Sequence, residues 1–299
     1  NTQAITIDVA APTAPTLTLS DTGSSSTDGI TKDNNITVGS LEGGTSTWEY
    51  SLDTGTTWIA GANSAFNLGQ ETTYATGSIQ VRQTDISGNT SPVTSTQLAI
   101  TLDTTAPTTP ALAYTDTGTN TTDGITSNNS IAVTGLETGA IYGYSSDGTT
   151  YTTLTGTSFT LADATYTASN IKVKQTDIAG NEAIGTLANP STTATQLIID
   201  TSVPAAPTLS YVDTGSSATD GITNDANITV ANLEVGAIYE YSTQIANPTW
   251  TVFTGSEFTL AEGTYFAANI IVKQTDIVGN VAQGGFTTMP LSGQLNIDT

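Results

Sequence analysis

Apolar and polar positions alternate along most of this chain with a period of two. Ile79, Val81 and Gln83 fall on one face of such a pattern, and Ile171, Val173 and Gln175 repeat it. Trp48-Glu49-Tyr50 resembles Ile141-Tyr142-Gly143-Tyr144 in the same way. A period of two puts successive side chains on opposite faces of a strand. Thr, Val, Ile and Tyr suit half-buried strands, and Gly, Asn and Asp turns break the runs about every 8–12 residues. No stretch reads as a capped amphipathic helix.

The pattern recurs at long range as well. Asp21-Thr22-Gly23 followed by Thr27-Asp28-Gly29-Ile30-Thr31 returns at Asp116 to Thr126 and again at Asp213 to Thr223, at spacings of 95 and 97 residues. Gln83-Thr84-Asp85-Ile86 with Gly88-Asn89 returns at Gln175 to Asn181 and at Gln274 to Asn280. Self-similarity at a fixed period marks a tandem array. About seven strands in each ~95-residue unit point to a sandwich of immunoglobulin type. The expected architecture is therefore all-β: three tandem immunoglobulin-like domains, residues 9–103, 104–200 and 201–299, in an elongated rod. Residues 1–8 read as the last strand of a preceding repeat, and Asp298-Thr299 as the start of another connector. Tyr74, Tyr166 and Tyr265, each downstream of a Leu, stand where a corner tyrosine ties a sandwich crossing to backbone. Between repeats lie short Asp-Thr-Pro segments, Asp103 to Pro107 and Asp200 to Pro204, with Asp8 to Pro12 before the first. Proline fixes φ and lacks a donor, so these are stiff extended connectors.

Charge narrows the chemistry. The 299 residues carry 27 acidic and 5 basic side chains, a net charge of −22, with no His and no Cys. Phosphate repels such a surface, which excludes a nucleic-acid groove and disfavours anionic membrane. Without His or Cys the usual ligands of zinc, iron and copper are missing, and no disulfide forms. Oxygen chemistry remains, and carboxylates with loop carbonyls suit calcium better than the tight octahedron of magnesium. No apolar run is long enough to span a bilayer, and the polar start is no signal peptide.

Sixteen of the acids recur by position. These are the connector residues Asp8, Asp103, Asp200 and Asp298; the first-loop pairs Asp21 and Asp28, Asp116 and Asp123, Asp213 and Asp220; Glu42, Glu137 and Glu234 after the second main strand; and Asp85, Asp177 and Asp276 in the turn between strands F and G. In a sandwich the A–B loop lies at the exit end and the F–G turn at the entry end. Asp21, Asp28, Asp103, Glu137 and Asp177 are thus expected to converge on one junction, where their mutual repulsion calls for a cation. The competing reading is that each Asp caps a turn through its own backbone.

As a set, Asp-x-Thr-x-Pro, Thr-Asp-Gly-Ile-Thr, Leu-Glu-x-Gly and Gln-Thr-Asp-x-x-Gly-Asn resemble the bacterial immunoglobulin-like repeats of giant non-fimbrial adhesins exported by type I secretion. The resemblance covers the whole chain. It implies calcium-bridged, rod-like arrays on the bacterial surface, terminal repeats that contact host glycans and a C-terminal secretion signal. Carried over by position, the calcium ligands are the sixteen acids above, and neighbouring repeats of the same chain are the other partners. Tyr142 and Tyr239 replace Trp48, and Gln244 to Asn247 replaces the Asp53 and Asp147 turns. Two rival functions are weighed. Trp48, Tyr50 and Trp58, or Tyr239, Tyr241 and Trp250, would stack on sugar rings in a carbohydrate-binding module, unless they fill the core. A glycosidase would need one carboxylate pair, whereas here the cluster recurs at every junction. The chain reads as no enzyme.

Overall fold

A computed structural model of the chain describes residues 5–43, 46–190 and 195–299. It is all-β, with two short 3₁₀ turns, Ala168–Asn170 and Ala267–Asn269. No helix among the described residues is long and apolar enough to cross a membrane.

The first repeat contains β1 (Thr16–Leu19), β2 (Ile30–Thr31), β3 (Asn35–Gly39), β4 (Thr47–Ser51), β5 (Ile59–Ala60), β6 (Ala65–Asn67), β7 (Thr73–Tyr74), β8 (Gln80–Thr84), β9 (Thr94–Ser95) and β10 (Ile100–Leu102). They form three sheets, ordered β1-β3-β6, β5-β4-β8-β9 and β2-β10-β7. The other two repeats reproduce this pairing. Ten segments stand where about seven strands were expected. The additional ones are two-residue pieces too short to show an alternation in sequence, among them β2, which runs parallel to β10, and β7, which runs antiparallel to it.

Alternation sends one face of each strand inward. In β8 and its approach, Ile79 and Val81 are fully buried, and Ile36, Val38, Phe66, Ile100 and Leu102 meet them in one core. Equivalent cores are drawn from Ile131 to Ile199 and from Leu209 to Ile297. Each core belongs to one repeat, so the chain is three tandem β-sandwiches. Trp48 is a core residue, and its indole donates to Asn63 O at 3.0 Å. Tyr50, Tyr144 and Tyr241 stack on Phe66, Phe159 and Phe258 with ring centroids 4.1–4.3 Å apart. The corner tyrosines do what was expected of them: the Tyr74, Tyr166 and Tyr265 hydroxyls donate four residues upstream, to Gln70 O, Ala162 O and Ala261 O.

One sequence reading changes here. Ile5 to Asp8 form no strand, and Ile5 and Ile7 stand 89% and 82% exposed; Asn1 to Ala4 lie outside the described residues. The connectors are more than spacers. Pro12 and Pro15, Pro107 and Pro110, Pro204 and Pro207 are all buried. Pro110 O and Pro207 O come so close to Gly185 and Gly284 that an added Cβ would stand 1.9 and 1.7 Å away. Each connector is thus built into the repeat that follows it.

Candidate functional site

The A–B loop of one repeat meets the F–G turn of the next. At the first junction Thr22 Oγ1 donates to Ala179 O at 2.8 Å, Ser24 N to Ile178 O at 3.3 Å and Lys32 Nζ to Gly180 O at 2.5 Å. At the second, Thr117 Oγ1 donates to Val278 O at 3.2 Å, Thr119 N to Ile277 O at 3.3 Å, and Ser127 Oγ to Val278 O at 3.2 Å. The connector closes the same contact from below. Asn181 Nδ2 donates to Asp103 O at 2.8 Å, and Asn280 Nδ2 to Asp200 O and Ser202 O at 3.0 Å. Asn89, in the first repeat, reaches Asp8 O at 3.2 Å.

The A–B loop owes its shape to its motif. Gly29, Gly124 and Gly221 adopt φ of +76° to +78°, and a Cβ on any of them would strike the chain at the start of β10 or its counterpart, at Ala99 O, Gln196 O or Gln294 O. Thr31, Thr126 and Thr223 are buried, and their hydroxyls donate back across the loop to Ser20 O, Thr115 O and Val212 O at 2.8–2.9 Å. The recurrence of Thr-Asp-Gly-Ile-Thr thus has a structural cause independent of any ligand.

Capping accounts for at least one contact of most recurrent aspartates. Asp8, Asp103 and Asp200 accept the amide two residues on, as do Asp28, Asp123 and Asp220 from Ile30, Ile125 and Ile222. Asp85, Asp177 and Asp276 each accept the amide of the turn asparagine at 2.8 Å, and Asp177 and Asp276 are buried. Asp298 is placed by its own amide, which donates to Thr223 O at 2.9 Å. Glu42, Glu137 and Glu234 expose their side chains, and their amides donate to a buried glutamine. The junction brings the loops that carry Asp21, Asp103 and Asp177 together. It does not gather five carboxylates: among the described residues no three acidic side chains are grouped to hold an ion. The connector and F–G aspartates, with Asp28, Asp123 and Asp220, turn a carboxylate oxygen toward a nearby backbone amide instead.

One position departs from this rule. Oδ2 of Asp21, Asp116 and Asp213 accepts the Gly29, Gly124 or Gly221 amide at 2.9 Å. Oδ1 of all three is buried and has no hydrogen-bond partner. A buried charged oxygen without a donor is costly. Burial raises the Asp116 carboxyl above its ordinary value, and the nearby Asp123 charge adds to this. Asp21 also lines a cavity of about 530 Å³, and Asp213 one of about 470 Å³. An orphaned hard-oxygen donor with a second carboxylate in the same loop and open space beside it fits a divalent cation.

The roles of two sets of residues escaped the sequence reading. Gln83, Gln175 and Gln274 are fully buried on the strand before the F–G turn. Their Nε2 groups donate to the connector carbonyls Thr13 O, Thr108 O and Ala205 O and to Ser40 O, Gly135 O and Asn232 O, while Oε1 accepts the Glu amide. A polar residue on the inward face in three repeats was the available signal. Glu71 and Asp163, each three residues before a corner tyrosine, accept from the outgoing connector. Glu71 takes Thr104 N, Thr104 Oγ1 and Thr105 Oγ1, and Asp163 takes Thr201 N, Thr201 Oγ1 and Ser202 Oγ. The connector hydroxyls lower both carboxyls below their usual range. Glu262 holds the same offset in the third repeat.

Trp58 and Trp250, both half-buried, are already engaged. The Arg82 guanidinium sits 3.9 Å over the Trp58 ring, and Lys273 Nζ lies 4.6 Å over Trp250, each beside a paired carboxylate, Glu49 or Glu240.

No family model and no curated protein matches the chain. Among solved structures, a tetra-tandem repeat from the extending region of a large adhesion protein is 18% identical, covering 95% of this chain and 74% of that one at a TM-score of 0.22. A structure from a 1.5-MDa bacterial ice-binding adhesin is 11% identical, covering 88% of each chain at 0.24. The fibronectin(III)-like modules of Clostridium thermocellum CbhA are 12% identical, covering 58% of this chain and 87% of that one at 0.26. TM-scores this low constrain neither fold nor activity, and the sandwich architecture stands on the chain's own strand pairing and its three cores.

Proposed function

We propose that the chain is a calcium-stiffened stretch of an extracellular bacterial adhesin, in which repeats space and present contacts to host cells. The adhesin part rests on the motif resemblance drawn from the sequence. The calcium part rests on one observation, the same buried and unpartnered carboxylate oxygen in every repeat. Asp21 with Asp28, Asp116 with Asp123 and Asp213 with Asp220 are the first candidates to hold the ion, and the connector and F–G aspartates complete the set of acids at the junction. Bound calcium supplies positive charge and six to eight oxygen contacts of loose geometry. The chain's own residues supply the alignment. The connector prolines restrict φ, the buried glutamine ties the connector to the loop after β3 or its counterpart, and the A–B loop meets the next repeat's F–G turn. Neutralising the orphaned oxygen removes a penalty on that loop, which then seats more firmly.

Thermal melts in a calcium titration test this. The transition temperature is expected to climb with free calcium by mass action, and Asp116→Asn is expected to weaken the response of the second repeat. A melt that is indifferent to calcium refutes the reading.

A further inference from the structure

We infer that Lys32 is a positioning residue, a tethered cation that holds the first junction closed without calcium and leaves only the second junction dependent on it. The two junctions share one design and differ at this position. Lys32 Nζ donates to Gly180 O at 2.5 Å, while its counterpart Ser127 offers a neutral hydroxyl to Val278 O at 3.2 Å. Of the five basic residues, the other four lie on the strands leading to the F–G turns, Arg82 on β8, Lys172 and Lys174 within Lys172–Thr176 and Lys273 within Ile271–Thr275. Lys32 alone brings a positive charge to an A–B loop.

The packing follows the charge. Gly180 is buried and Gly279 exposed. A Cβ on Gly180 would stand 3.0 Å from Gly23 Cα, whereas on Gly279 it would stand 3.6 Å from Gly118 Cα. Asn181, beside the first turn, is buried, and Asn280 is only partly so. The ammonium bonds the turn carbonyl while Asp21 Oδ1 keeps no partner, so the tether acts on the contact between repeats rather than on the loop carboxylate, at a fixed stoichiometry and with no dependence on the medium.

This inference rests on the calcium reading for its second half, and the experiment separates the two. The chain has no cysteine, so spin labels go cleanly onto exposed turn positions, Ser64 with Thr157 across the first junction and Thr157 with Ser256 across the second. Distance distributions are recorded in chelator and in calcium chloride. The first junction is expected to be narrow in both, and the second broad in chelator and narrow in calcium. Lys32→Ser should broaden the first junction about twofold in chelator, toward the freely moving limit of adjacent domains, and calcium should restore it; Lys32→Arg should stay narrow. Ser127→Lys should make the second junction narrow in chelator. A first junction that is broad in wild type without calcium, or one unmoved by Lys32→Ser, overturns the inference. If calcium changes no distribution while Lys32→Ser still broadens the first, the calcium reading fails and the tether stands. Melts of each variant confirm that the repeats remain folded.

Discussion

Gly23, Gly118 and Gly215 occupy one position in the three A–B loops, with φ of +102°, +101° and +119°. Replacing any of them with Ala forces an L-residue into a region it rarely visits, at a cost of about 1–3 kcal/mol. Their surroundings differ. At Gly23 the new Cβ would stand 2.0 Å from Ile178 O, and at Gly118 2.4 Å from Ile277 O, both on the next repeat. At Gly215 the nearest atom is Ile222 O of its own loop, 3.9 Å away. Gly215→Ala therefore reads strain alone, and the other two read strain plus the loss of docking. Each junction carries three loop-to-turn hydrogen bonds. At about 0.5–1.5 kcal/mol apiece they give a coupling near 2 kcal/mol after partial solvent exposure. For a unit of this size that corresponds to roughly 10 °C in its transition. Calorimetry of the whole chain, with its transitions resolved by repeat, is the assay. The expected result is an excess of that order for Gly23→Ala and Gly118→Ala over Gly215→Ala. If all three lower their transitions equally, the repeats fold as independent beads and the docking contributes nothing.

Two further outcomes follow from the residues behind the junction. Gln175→Ala removes a fully buried side chain and leaves Thr108 O and the Glu137 amide without partners, while Gly135 O keeps only the Thr108 hydroxyl; at about 1–3 kcal/mol per stranded group, moderated by entry of water, urea unfolding of the second repeat should report a loss of about 3 kcal/mol, and a loss below about 1 kcal/mol would show that the clamp is ornamental. Glu71 and Asp163 have carboxyls lowered by the connector hydroxyls, so their contribution is present above the ordinary carboxylate range and is lost as pH falls through their folded values; label-to-label distances across both junctions should loosen on acidification below about pH 4, and Glu71→Gln with Asp163→Asn should flatten that response.

The period-two pattern was legible because burial repeats it: Ile79 and Val81 face inward, as do Ile171 and Val173. Each of the three cores is drawn from one stretch of the chain. The two-residue strands were not, because a segment such as Thr73–Tyr74 is defined by its partner across the sheet and carries no period of its own. For the site, recurrence found the right loops and said little about their chemistry. Asp28 and Asp177 recur and are also good turn caps, and sequence does not distinguish the two causes. What separates Asp21, Asp116 and Asp213 from the rest is one oxygen with nothing to bond, a property that exists only once the loop has closed over it. Gln83 was placed on the inward face with Ile79 and Val81, but its role was not legible, because the connector carbonyl it holds is brought to it only by the fold.

The parallel pairing of β2 with β10 bears on how this chain meets tension. A pull along the array enters a repeat through its buried connector prolines and leaves through β10 toward the next connector. Thr101 N to Gly29 O and Asp103 N to Thr31 O are then loaded together and sideways. Bonds sheared in concert resist more than bonds opened one after another, so the small third sheet is placed where tension along the array would be borne.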